Sequence, residues 1–226
     1  MMTNHDVPHK PASRKYSSRS KVSANLSFSD AVMRCLVSRA YASSPAVLEQ
    51  AADIFIRLGD KRYEGVGRNN LARILIKLKR YDEARRELNR AIECIKPFGH
   101  AAQPWQTWDI LHDLEHATGN VQAAEAARRQ AIASYLAYRR VGGQSQSNQA
   151  QHFAIVFQAI QQDATTEAEQ YLDELSRGDI PAWLQTSVAG LQAIMRGDRH
   201  PALAANPNMD YLNAAELQLL LEKLGK

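Results

Sequence analysis

From about Phe28 to the end of the chain, apolar residues recur three and four positions apart, and no stretch sustains a two-residue alternation. That periodicity predicts an all-α fold. Breakers interrupt it at Ser43-Ser44-Pro45, Gly59-Asp60, Gly65, Lys96-Pro97-Phe98-Gly99, Gly119-Asn120, Gly142-Gly143, Gly178-Asp179, Gly197-Asp198 and Asn206-Pro207. The segments between them are mostly of ordinary helical length, which predicts about ten helices. Asp30, Ser44 and Asp163 are expected to cap helices, because a short side-chain oxygen can accept from the unpaired N–H groups of a first turn.

The pattern also repeats. The segments 48–55 (LEQAADIF), 88–95 (LNRAIECI) and 128–135 (RRQAIASY) align without gaps and place Ala51, Ala91 and Ala131 at successive intervals of 40 residues. Ala84 and Ala124 keep the same interval seven residues, about two turns, earlier. Ahead of each pair runs an amphipathic helix, Asn70-Leu71-Ala72-Arg73-Ile74-Leu75 in one unit and Trp108-Asp109-Ile110-Leu111-His112-Asp113-Leu114 in the next. A small residue thus recurs wherever two helices of a pair would cross.

On these residues the chain resembles a tetratricopeptide-repeat protein. In that family's pattern a Leu and a small residue mark the first helix, an aromatic and Ala open the second, Ala returns seven positions later and Pro closes the unit. Leu71, Ala72, Tyr81, Ala84, Ala91 and Pro97 occupy those places. The following unit keeps Trp108, Leu111, Gly119, Ala124 and Ala131, and departs at His112, where a small residue is expected, and at Glu115, where an aromatic is usual. The resemblance is strong over about 45–140, and implies the long variant of the repeat, similar to the repeat regions of bacterial signalling ATPases and of proteins with caspase-like CHAT domains.

A helix pair with alanines at its crossing leaves one apolar face uncovered, so neighbouring pairs are expected to stack into a right-handed solenoid of antiparallel-paired helices. The predicted organisation is a tail over 1–25, repeats over 26–141, a linker over 142–148 (GGQSQSN in sequence) and divergent helices with a carboxyl-terminal cap over 149–226. In that cap Leu212, Leu217, Leu220, Leu221 and Leu224 alternate with Glu216, Gln218, Glu222 and Lys223, an amphipathic arrangement suited to closing a stack.

Composition narrows the picture. Of 226 residues 45% are hydrophobic and 23% charged, and no apolar run approaches the roughly 20 residues that cross a bilayer. The first residues hold no apolar stretch of secretory type, so a reducing, cytoplasmic setting is expected, with Cys35 and Cys94 as small buried hydrophobes. The formal charge of +4 is concentrated at the amino terminus, where Lys10, Arg14, Lys15, Arg19 and Lys21 face Asp6 alone and the rest of the chain balances. That Ser-rich tail is too poor in large aliphatics to offset its ordering entropy, and is expected to be disordered. Nucleic acid is therefore an expected partner only weakly and only through the tail, an alternative role as a nucleic-acid accessory protein.

Candidate chemistry is sparse. His112-Asp113-Leu114-Glu115-His116 matches H-x-x-E-H, in which two His one helical turn apart hold Zn²⁺ and Glu serves as general base. A catalytic site of that kind also needs a third protein ligand and an open cleft, whereas this helix is committed to packing through Trp108, Leu111 and Leu114. His112 is then expected at a helix crossing, with Asp113 and His116 partly exposed. No nucleophile elbow, phosphate loop or dinucleotide fingerprint occurs, and Trp105, Trp108 and Trp183 are expected in the core. No enzyme activity, metal, cofactor or membrane association is expected.

What remains is a surface. The resemblance implies that the first helix of each unit lines a concave groove, which assigns partner contact to Asn69, Asn70, Arg73 and Lys77 in one unit and to Asp109, Asp113 and His116 in the next. Spacings of about four residues put each set along one helix face. The expected function is a protein-binding adaptor or scaffold that holds a peptide or protein segment there, with a place in a larger signalling or defence complex as a further expectation.

Overall fold

The computed structural model describes residues 59–225 together with 53, 54, 56 and 57. The tail, Cys35, Ala51 and the caps expected at Asp30 and Ser44 lie outside the described residues. Within them the protein is all helical, with no strand. Eight α-helices follow in order among the described residues: α1 (Lys61–Lys77), α2 (Tyr81–Ile95), α3 (Pro104–Ala117), α4 (Val121–Arg140), α5 (Ala150–Gln161), α6 (Thr165–Arg177), α7 (Ala182–Met195) and α8 (Tyr211–Leu224). Short 3₁₀ segments, Lys96–Ala102 and Pro201–Ala205, precede α3 and α8.

Local geometry sets the helix ends, and at the reversals between paired helices it keeps the repeat interval. Helices α1 and α4 are capped at Asp60 and Asn120, whose side chains accept from the backbone N–H of Tyr63 and Ala123. At the far ends of α1 and α3 the chain reverses through a left-handed residue, Lys79 (φ 60°) and Gly119 (φ 75°), again 40 positions apart. Each reversal is closed by a backbone bond five residues back, Arg80 to Leu75 at 2.8 Å and Asn120 to Glu115 at 2.8 Å. The same device ends α5 at Asp163, which has φ 55°. Asp163 is thus not the cap expected from the sequence; the cap position of α6 falls on Ala164, whose side chain offers no acceptor.

Small side chains sit at the crossings. Ala72, Ala84, Ala91 and Ala131 are fully buried and Ala124 nearly so. Gly65 approaches α2 so closely that a Cβ placed on it would lie 2.5 Å from Cγ2 of Ile95 and 3.5 Å from the Ala91 carbonyl. Leu71, Leu75, Leu88, Ile110 and Leu114 fill the seam joining α1, α2 and α3. Polar groups lock it: Arg68, almost wholly buried, reaches Glu64 of its own helix at 2.8 Å and Glu87 of α2 at 2.5 Å.

After α4 the chain order and the packing order part. Helix α8, last in the chain, lies against α4, while α5 packs with α6, α7 and α8. Ala215, Tyr211, Leu212 and Leu219 of α8 meet Trp105, Tyr135 and Leu136, and its Leu217 and Leu220 enter a second core with Phe153, Val156, Leu172, Val188, Leu191 and Ile194. Glu216 departs from the amphipathic expectation for this helix: it is buried. Its carboxylate accepts from Tyr135 Oη at 2.8 Å and Ser145 Oγ at 2.6 Å, and pairs with Arg139 at 2.9 Å. Residues 142–148 wrap this group, with Ser147 Oγ donating to Asn213 Oδ1 at 2.7 Å and the Gln146 N–H to Tyr135 Oη at 2.8 Å. Trp105 is buried as expected, whereas Trp183, early on α7, is 39% exposed.

Two stability outcomes follow from this packing. Ala91→Leu should overpack the α1/α2 crossing and cost about 1–3 kcal/mol, read as a lowered urea midpoint. Lys79→Gly should stabilise the fold by about 1 kcal/mol, read as a raised urea midpoint, because a side chain in the left-handed region carries a steric cost that glycine does not.

Candidate functional site

The seven residues assigned to a groove divide into two groups. Arg73 and Lys77 on α1, and Asp113 and His116 on α3, are exposed. Asn69, Asn70 and Asp109 are half-buried. Asn69 Nδ2 donates to Thr107 Oγ1 at 2.8 Å and so fastens α1 to α3, leaving its buried Oδ1 without a hydrogen bond. Arg73, Lys77 and Asp113 make no side-chain ion pair or hydrogen bond among the described residues.

Asp109 is the electrostatic centre of this face. Burial, followed by the nearby charges of Asp113 and Asp210, raises its carboxyl to about 7, and Arg73 opposes that rise. Tyr211 beside it is also pushed up, first by burial and then by the charges of Asp109 and Asp210. The start of α8 therefore stands at the edge of the α1/α3 face, contributing a carboxylate and a phenol from far along the chain. Asp210 is itself engaged as the cap of α8, accepting from the Asn213 N–H at 3.0 Å and from Asn213 Nδ2 at 2.5 Å. Sequence reasoning missed Asp210 and Tyr211. The signal was an Asp immediately before an apolar-periodic run, following the Asn206-Pro207 break.

The H-x-x-E-H segment is built into the repeat packing. Glu115 is buried, and its two oxygens accept from Arg85 of α2 at 2.7 and 3.1 Å, with Asn120 Nδ2 a third donor at 3.2 Å. Hydrogen bonding from Arg85, the largest influence, holds this carboxyl below the usual carboxylate range. His112 Nδ1 lies 3.0 Å from the Ala124 carbonyl oxygen, at the crossing of α3 with α4. The departure from the repeat pattern at Glu115 is thus matched by a guanidinium from the preceding unit. Among the described residues no group of three His, Cys, Asp or Glu side chains is placed to hold a metal ion. No helix among them is long and apolar enough to cross a membrane.

The raised carboxyl has a measurable sign. Asp109 binds its proton more tightly in the folded chain than in the unfolded one, so its contribution is complete below about pH 4 and is lost as pH rises through about 7. Asp109→Asn should leave stability nearly unchanged at pH 4 and raise it by about 1–2 kcal/mol at pH 8, as followed by urea titration at the two pH values.

Compared with protein-family models, curated proteins and solved structures, the chain matches none.

Proposed function

We propose that the protein is a non-enzymatic adaptor or scaffold of tetratricopeptide-repeat type, binding a peptide or protein segment on the face formed by α1 and α3. In this proposal the helix pairs belong to a right-handed superhelix, the setting is cytoplasmic, and the chain serves as a subunit of a larger signalling or defence complex. The reading is carried by one observation: Arg73, Lys77 and Asp113 are exposed on neighbouring first helices and are not consumed by side-chain pairs within the described residues. Charges elsewhere at the helix seams are used internally, Arg68 by Glu64 and Glu87, and Arg85 by Glu115 and Asp82.

A basic strip beside an acidic one suits a segment carrying both charge signs. Long-range attraction would set the rate of approach, and the pairs that lose water on contact would set specificity. Half-buried Asn70 supplies an amide able to donate to and accept from a peptide backbone.

With a partner captured from the native host and identified by mass spectrometry, R73E/K77E should weaken its binding by about tenfold or more, most visibly at low salt. Removal of residues 1–24 should leave that affinity within about twofold. Loss of binding on truncation, with the double reversal silent, would overturn the groove and favour a nucleic-acid or acidic partner for the basic tail.

A further inference from the structure

A second surface lies away from the α1/α3 face. Between α4, the 3₁₀ segment Pro201–Ala205 and α8 opens a cavity of about 940 Å³. Its lining along α4 includes a stripe of Arg129, then Ile132 and Ala133, then Leu136, then Arg140. These positions are three and four residues apart and therefore share a helix face. Ala204 and Leu221 extend the apolar floor across the cavity, and Arg128 and Arg199 complete the lining cations.

The charge of this cavity is one-sided. Two carboxylates line it, and both lie beside arginines: Glu222 accepts from Arg140 at 2.6 Å, and Glu125 stands 3.8 Å from Arg129. Arg128 donates to the carbonyls of Asn206 and Met209, and Arg199 to those of Ile194 and Asp198. Neither has a carboxylate within ion-pair distance among the described residues. A guanidinium carries five N–H donors, so each keeps donors for an incoming anion. The exposed pairs at Arg129 and Arg140 are weak enough to exchange partners, since such pairs contribute about 1 kcal/mol or less.

We propose that this cavity is a docking groove for an acidic amphipathic helix of a partner protein, its apolar face on Ile132, Leu136 and Leu221 and its carboxylates on Arg129, Arg140 and Arg199. The spacing of the cations selects this occupant over an anionic amphiphile with one headgroup. Arg140 follows Arg129 by three turns of α4, about 16 Å at 1.5 Å per residue. Arg199 stands on another wall. One headgroup would engage one end of such an array, whereas carboxylates three turns apart on a helix flanking an apolar stripe match its length. The proposal does not depend on the α1/α3 face.

The test uses the full-length chain and a fluorescent amphipathic peptide of about 18 residues built from Leu, Ala and Glu, long enough for five turns. A scrambled peptide of the same composition and sodium dodecanoate serve as comparators. The amphipathic peptide should bind saturably by fluorescence anisotropy, and R129E/R140E should weaken it by about tenfold or more. R86E/R90E, which changes net charge by the same amount at two exposed positions of α2, should leave that affinity unchanged. Circular dichroism should report intact helices in both variants, because all four substituted positions are exposed; if R129E/R140E does not fold, R129Q/R140Q must show the weakening instead. Equal losses in the two variants, equal binding of the scrambled peptide, or saturable binding of dodecanoate with none of the peptide would each overturn the proposal.

Discussion

A carboxylate that cannot reach bulk water organises the second half of this protein. Glu216 sits on α8 against α4, and removing a charge from water costs several kcal/mol unless partners replace the lost hydration. Tyr135, Arg139 and Ser145 supply those partners, and two of them belong to α4. The carboxylate is therefore satisfied in one register of α8 on α4, and a slip by one turn would strand it. Leucines around it provide area, but area alone is indifferent to register. The polar group selects the register, and the loop over 142–148 is held in shape by bonds to Glu216, Tyr135 and Asn213.

The first half relies on a different constraint. Gly65, Ala72, Ala84 and Ala91 let α1 and α2 approach until side-chain and backbone atoms touch, and arginines then bridge the seams where the repeat pattern is broken. Arg85 reaching Glu115 is such a bridge, since the buried carboxylate of α3 is tolerated only because the preceding unit delivers a guanidinium to it. Packing within the α1/α2 pair is close and carries the buried Arg68–Glu87 ion pair, and the linkage from α2 to α3 is partly ionic through Arg85 and Glu115.

How much of this was legible in the sequence depends on range. Local signals were readable: the helical period, the breaks at Gly59, Pro97 and Gly119, and the alanines spaced by 40, because each rests on interactions within a turn or a helix pair. The place of α8 was not, because a leucine stripe announces that a helix has a covered face and says nothing of what covers it. Glu216 illustrates the loss, for an isolated Glu among leucines reads as a polar-face residue until Tyr135 is brought to it. The candidate face shows the same division. Arg73, Lys77 and Asp113 were placed by helix spacing, while Asp210 and Tyr211 arrive beside Asp109 only through the tertiary fold.

The bond between Tyr135 and Glu216 spans 81 positions. Closing a loop of that length costs about 4 kcal/mol of chain entropy before any contact compensates it, and such distant contacts slow folding. During synthesis α4 leaves the ribosome long before α8 exists, so its flank at Tyr135 and Leu136 waits uncovered while the intervening helices are made. The nascent chain thus has a window in which an apolar surface is open to chaperones or to other chains, and that window shuts only when α8 has been made and packs against α4.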